Sequence, residues 1–190
     1  MPTKIIVPPS FWPVTLDEAK HHCRVDGADD DMLLQMLIAS AGESAEHETG
    51  RALCTQTREL VLDAFPTDFV LHGSPIQSVE SIKFLDASGT ECTLDPQDYL
   101  LDNESEPGYV TLAYGKGWPA TYPVPNAVRV RYVCGYGMPE NVPAAIKQWM
   151  LLAIGTMYAQ RESIVVGQAM SLPDSFWSRL LHRYTLYWGI

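Results

Sequence analysis

Basic residues are scarce in this chain of 190: Lys and Arg number 13 against 23 Asp and Glu, for a net charge of −10. Neutralising phosphates takes Lys and Arg in excess, so the balance argues against general affinity for nucleic acid. Long apolar runs are missing too. No uncharged apolar stretch approaches the roughly 18 residues that span a bilayer. The opening MPTKIIVPPSFWP is cut by Pro8, Pro9 and Pro13, unlike a signal peptide. The expectation is a soluble protein made in a cytoplasm, with no membrane partner. Cys23, Cys54, Cys92 and Cys134 are widely spaced with no CxxC pair, which reads as reduced thiols. There is no phosphate loop, no GxSxG, no HExxH and no matched Cys/His signature. The chain is therefore expected to carry no cofactor, no metal and no catalytic residues.

What the chain does have is one strongly apolar helical stretch, Val142 to Glu162, whose only charge between Ala144 and Gln160 is Lys147. Pro143 suits a first helical turn. Ile146, Met150, Ala153 and Met157 form one stripe, and Trp149, Leu152 and Thr156 form another beside it. Such a helix must be covered on most of its circumference, by its own domain or by a second subunit. Two further helices precede it. Thr15-Leu16-Asp17-Glu18 is a capping box that opens a helix near 15–24. A second runs near 31–49, with Leu34, Leu37, Ile38, Ala41 and Ala45 on one face, acids Asp29–Asp31 at its start and Gly50 at its end. A last helix is expected near 174–188, with Trp177, Leu180, Leu181, Tyr184 and Trp188 on one face.

Between residues 55 and 135 the apolar period changes to two. Leu60 and Leu62, Ile82 and Phe84, Val110, Leu112 and Tyr114, and Val128, Val130, Tyr132 and Cys134 each alternate with polar neighbours. These are antiparallel strands with one wet face, and Asp86-Ala87-Ser88-Gly89 is a hairpin turn between Ser81–Leu85 and Thr90–Leu94. The fold class is α+β: an extended arm at 1–13, then one domain at 14–190, with a helical frame at 14–53 and 140–190 around an antiparallel β insertion at about 55–135. The arm, with Phe11 and Trp12, lies on its own domain or on a neighbour.

Few residues suggest chemistry. His21 and His22 point about 100° apart on a helix and do not easily share a metal. Asp29–Asp31 lack the alternate spacing of a calcium loop. Tyr114-Gly115-Lys116-Gly117 reads as a bend at a strand end. Arg129 and Arg131, on one strand face, are a candidate phosphate contact or subunit contact. Charge is unevenly divided: residues 1–110 carry 20 acids and 6 bases, residues 111–190 carry 3 and 7. That division suits complementary surfaces between copies of the chain, or acidic loops solvating themselves.

Three separated segments carry a family resemblance: VDGADDDMLLQMLIASAGESAEHETGRAL, GKGWPATYPVPNAVRVRYVCGYG and VPAAIKQWMLLAIGTMYAQRE. Over about residues 14–166 the chain resembles the head–tail connector (adaptor) proteins of long-tailed bacteriophages and prophages. The resemblance implies a structural virion protein and not an enzyme, located in the neck at the head–tail junction and in the host cytoplasm during assembly. It implies a homo-oligomeric ring, usually of twelve copies, that docks on the portal protein after DNA packaging. Such a ring joins a downstream neck or tail-completion protein and lets DNA pass without specific binding. Leu34, Leu37, Ile38, Ile146, Met150 and Met157 match the helical frame. The tail supplies the docking candidates Phe176, Trp177, Leu180, Tyr184, Tyr187, Trp188 and Ile190. Subunit-interface candidates are Phe11, Trp12, Trp149, Arg129 and Arg131. The rival readings are a DNA-binding or DNA-packaging accessory protein and a metal-dependent hydrolase using Asp29–Asp31 or Asp102–Glu106.

Overall fold

The computed structural model describes residues 3–160 and 179–186. Their contacts gather into two units, residues 11–54 with 137–190 and residues 1–10 with 55–136. The first is helical. Helix α1, Leu16–Cys23, opens on the expected capping box: Thr15 Oγ1 accepts from the Glu18 N–H at 3.2 Å and Glu18 Oε2 accepts from the Thr15 N–H at 2.8 Å. Helix α2, Asp31–Thr49, stops where Gly50 turns to φ 70°, a left-handed conformation that suits glycine. Helix α3, Ala144–Ala159, starts behind Pro143.

All three helices touch one another. Leu34, Ile38, Ala41 and Ala45 of α2 and Ile146, Met150 and Ile154 of α3 are buried. The Trp12 ring lies against Gly42 of α2 so closely that a Cβ there would overlap it. Polar ties join the same elements: Lys147 Nζ to Glu18 Oε1 at 3.1 Å, Lys20 Nζ to Asp31 Oδ1 at 2.6 Å, and the Tyr158 hydroxyl to the Asp30 carboxylate. Asp30 occupies the N-cap position of α2 without a side-chain capping bond. Its carboxylate is turned to Tyr158 of α3 instead, so tertiary contact displaces the local cap.

The last helix ends earlier than its apolar spacing predicts. Residues 179–182 are helical and 183–186 are not, while 174–178 and 187–188 lie outside the described residues. The departing chain is held to the end of α2 by Arg51 Nε donating to the Tyr184 carbonyl at 2.5 Å and the Leu186 N–H donating to the Thr49 carbonyl at 2.9 Å. These bonds, with Leu181 buried, substitute for further helical turns.

The second unit is built of strands, with one 3-10 turn at Pro96–Asp98. Its strands are β1, Thr3–Val7; β2, Gln56–Leu62; β3, Asp68–Val70; β4, Ile76–Leu85; β5, Glu91–Thr93; β6, Tyr99–Asp102; β7, Tyr109–Leu112; and β8, Val128–Cys134. One antiparallel sheet has the order β1-β2-β8-β4-β5 and a smaller one β3-β7-β6. The alternation expected along β8 is realised, with Val128, Val130, Tyr132 and Cys134 buried and Arg129 and Arg131 exposed. Tyr132 is satisfied by donating its hydroxyl to the His72 carbonyl at 2.8 Å. The β4–β5 turn is tied by the Asp86 carboxylate, which accepts from the Ser88 and Thr90 N–H groups at 2.8 and 3.0 Å. The N-terminal arm is not free-standing: Thr3–Val7 pairs with β2 of its own chain, Lys4 opposite Glu59. The expected strand through Tyr114 ends at Leu112, and Gly115 turns the chain at φ 74° just beyond it.

Candidate interaction surfaces

Apolar side chains left in water are the first pointers to partners in such a protein. In the helical unit one stripe of α3, Ile146, Met150 and Ile154, is fully buried. Trp149, Leu151, Leu152, Ala153 and Met157 beside it are half-buried, although the amino acids themselves predict burial nearly all round. On α2, Met32 and Met36, one turn apart, are 76% and 65% exposed. Unbranched, polarizable methionines adapt to partner surfaces. Sequence reasoning missed this pair, because isolated methionines beside a core stripe look like its margin.

Of the expected interface residues, Trp12 already spends one ring face on Gly42, and Phe11 beside it is half-buried. Trp149 is half-buried beside the buried stripe of α3. Leu180 and Tyr184 of the tail are half-buried, with Leu181 between them buried. The other docking candidates, Phe176, Trp177, Tyr187, Trp188 and Ile190, lie outside the described residues.

Arg129 and Arg131 belong to the strand unit and stand on the wet face of its larger sheet. Register explains what gathers there. Arg131 of β8 lies opposite Glu59 of β2 and Ser81 of β4, and Arg129 lies opposite Lys83 of β4. Lys4 of β1 extends the row beyond Glu59. Ion pairs run from Arg129 Nη1 to Glu59 Oε1 at 3.5 Å and from Lys83 Nζ to Glu91 Oε1 at 3.0 Å. Together Glu59, Ser81, Lys83, Glu91, Arg129 and Arg131 border a groove of about 330 Å³. The two arginines were legible from alternation; Lys4, Glu59, Lys83 and Glu91 join them only through strand pairing between distant segments.

The groups that could suggest chemistry have local explanations. Asp30 and Asp31 are engaged by Tyr158 and Lys20. The Asp102 carboxylate accepts from the Ser105 N–H and hydroxyl and the Glu104 N–H, and those bonds hold it below the usual carboxylate range. Lys116 pairs with Asp98 at 2.6 Å. Burial, with the Glu46 and Glu140 carboxylates nearby, pushes the Cys54 thiol up to about 12, which leaves it without thiolate character. His21 and His22 are exposed. Among the described residues no group of three or more His, Cys, Asp and Glu could hold a metal ion, and no helix is long and apolar enough to cross a membrane.

Comparison with known proteins gives a consistent picture. No curated protein matches the chain. Among solved structures, a chain in the neck of the empty GTA particle, computed with C6 symmetry, shares the fold with a TM-score of 0.82 at 20% identity, over 100% of this chain and 98% of that one. A chain in the virion of the native gene transfer agent (GTA) particle gives 0.80 at 19% identity with the same coverage. One in the neck of the native GTA particle, computed with C12 symmetry, gives 0.73 at 19% identity, again over 100% and 98%. The head–tail connector resemblance read from the sequence is matched by the phage gp6-like head-tail connector protein family over residues 13–83.

Proposed function

We propose that this chain is a structural protein of the neck of a phage-like particle, the subunit of a ring that connects head to tail. The observation that carries the reading is the end-to-end likeness in fold to a chain of a particle neck, with a TM-score of 0.82, joined to the connector-family match over residues 13–83. In finer detail, the ring docks on the portal after DNA is packaged, extends the DNA channel, and offers its far side to the next neck or tail component. The physical features agree. A ring subunit needs two different complementary faces, and the uneven charge and the half-buried apolar side chains of α3 supply material for both. An acidic excess in a channel repels passing phosphates instead of holding them.

The tail is the portal-docking element in this reading. Removing all of residues 174–190 would also remove buried Leu181 and the acceptor of Arg51, so it confounds docking with stability. Deleting only 187–190, with Tyr187, Trp188 and Ile190, is the cleaner test. In electron micrographs of protein mixed with its portal, full-length chain should form rings on the portal. The shortened chain should melt normally yet leave the portal bare. Portal attachment by the shortened chain would refute the docking assignment. Salt-sensitive duplex binding by the purified protein would instead favour a DNA-packaging accessory.

A further inference from the structure

The wet face of the β1-β2-β8-β4-β5 sheet is locally inverted in charge. The strand unit holds six cationic side chains against eleven acids, yet Lys4, Lys83, Arg129 and Arg131 all stand on this one face. Lys83 and Arg129 are directly opposite across β4 and β8, where like charges repel, and Glu91 and Glu59 each offset one of them. Glu59 and Glu91 make the ion pairs on this face, and Arg131 makes none among the described residues.

The same unit carries the complement at its other end. The loop between β6 and β7 places Asp102, Glu104 and Glu106 within five residues. Asp102 folds it by accepting from Glu104 and Ser105, leaving Glu104 exposed at the tip. The loop sits by the start of β4: Gly108 donates to Ser74 Oγ at 3.3 Å, and a Cβ at Gly108 would lie 2.8 Å from Ile76 Cγ1. The cationic groove sits seven residues further along the same strand, at Lys83, a separation of about 23 Å at about 3.3 Å per residue. One copy cannot bring its own loop to its own groove. Two copies can, head to tail, and contacts of that kind close into rings.

Resting on the ring reading above, we propose that the groove bordered by Lys83, Arg129 and Arg131 receives the acidic loop at 102–106 of the adjacent copy. The occupant is a second copy of this chain, chosen by charge complementarity. A nucleic-acid backbone is the other anionic occupant, and duplex binding distinguishes it.

Charge reversal tests this in full-length protein, with and without portal, by native mass spectrometry and electron microscopy. Wild type should form rings. R129E/R131E and E104K/E106K should each fail to form rings, whereas a one-to-one mixture should assemble alternating rings with an even number of copies. The fourfold variant should assemble by itself. Recovery in the mixture or the fourfold variant cannot arise from misfolded subunits. Rings from either reversed protein alone, or no recovery on mixing, would overturn the contact. So would duplex binding by wild type that R129E/R131E abolishes. Absence of rings from the wild type itself, even with portal, would overturn the ring reading and this contact with it.

Discussion

Gly42 sits where two opposing effects can be weighed. Alanine in a helix interior is favoured over glycine by about 1 kcal/mol, so Gly42→Ala would stabilise α2 if space allowed. The Trp12 ring occupies that space, and a packed indole gives way at a cost of roughly 1–3 kcal/mol. We expect Gly42→Ala to lower the melting temperature, and Trp12→Leu added to it to recover part of the loss; a rise in melting temperature from Gly42→Ala alone would refute the contact. Glu18 gives a pH signature. Burial raises its pKa, but the Thr15 N–H, the Lys147 ammonium and the Thr15 hydroxyl outweigh it, so the folded carboxyl titrates below its ordinary range. A carboxylate lowered on folding contributes stability above its unfolded pKa and loses it as pH falls through the folded value. The pair is partly exposed, which limits the contribution to about 0.5 kcal/mol. Glu18→Gln should therefore cost about 0.5 kcal/mol at neutral pH and little in acid, so that the loss of stability on acidification is flatter, as read by melts across the acid range. At this scale the sequence disclosed Thr15 and Glu18 fully, because a capping box is local. It concealed Trp12 on Gly42, thirty residues apart, and the Tyr158–Asp30 bond that displaces an N-cap.

The helices were legible as elements. α2 runs over Asp31–Thr49 as its periodicity and Gly50 indicate, and α1 and α3 differ from expectation only at their ends. The long alternating strands β2, β4 and β8 were legible for the same reason. β3 and β6, with three and four residues, are too short for a period to register. The last helix was overextended because aromatic spacing continues past His182 while the backbone is captured by Arg51 and Thr49. α3 is the informative case: its composition calls for cover on most sides, and only the Ile146–Met150–Ile154 stripe receives it fully. If a neighbouring copy covers the rest, Trp149→Asp should leave a folded chain with a cooperative melt that no longer assembles. Loss of the melt would place Trp149 in the core of its own unit.

For the molecule as a whole, the α+β class and the connector resemblance were readable, because several separated segments carried them together. The groove was half readable: Arg129 and Arg131 alternate visibly, but their companions come from β1, β2, β4 and β5, and only pairing brings them to one face. Surfaces that work between copies leave no local pattern, since neither half is complete in one chain. The central claim is that this chain builds a closed ring at a portal. Electron microscopy of the purified protein mixed with its portal tests it most directly. A closed ring seated on the portal is expected; a portal that stays bare while the protein remains monomeric would contradict it.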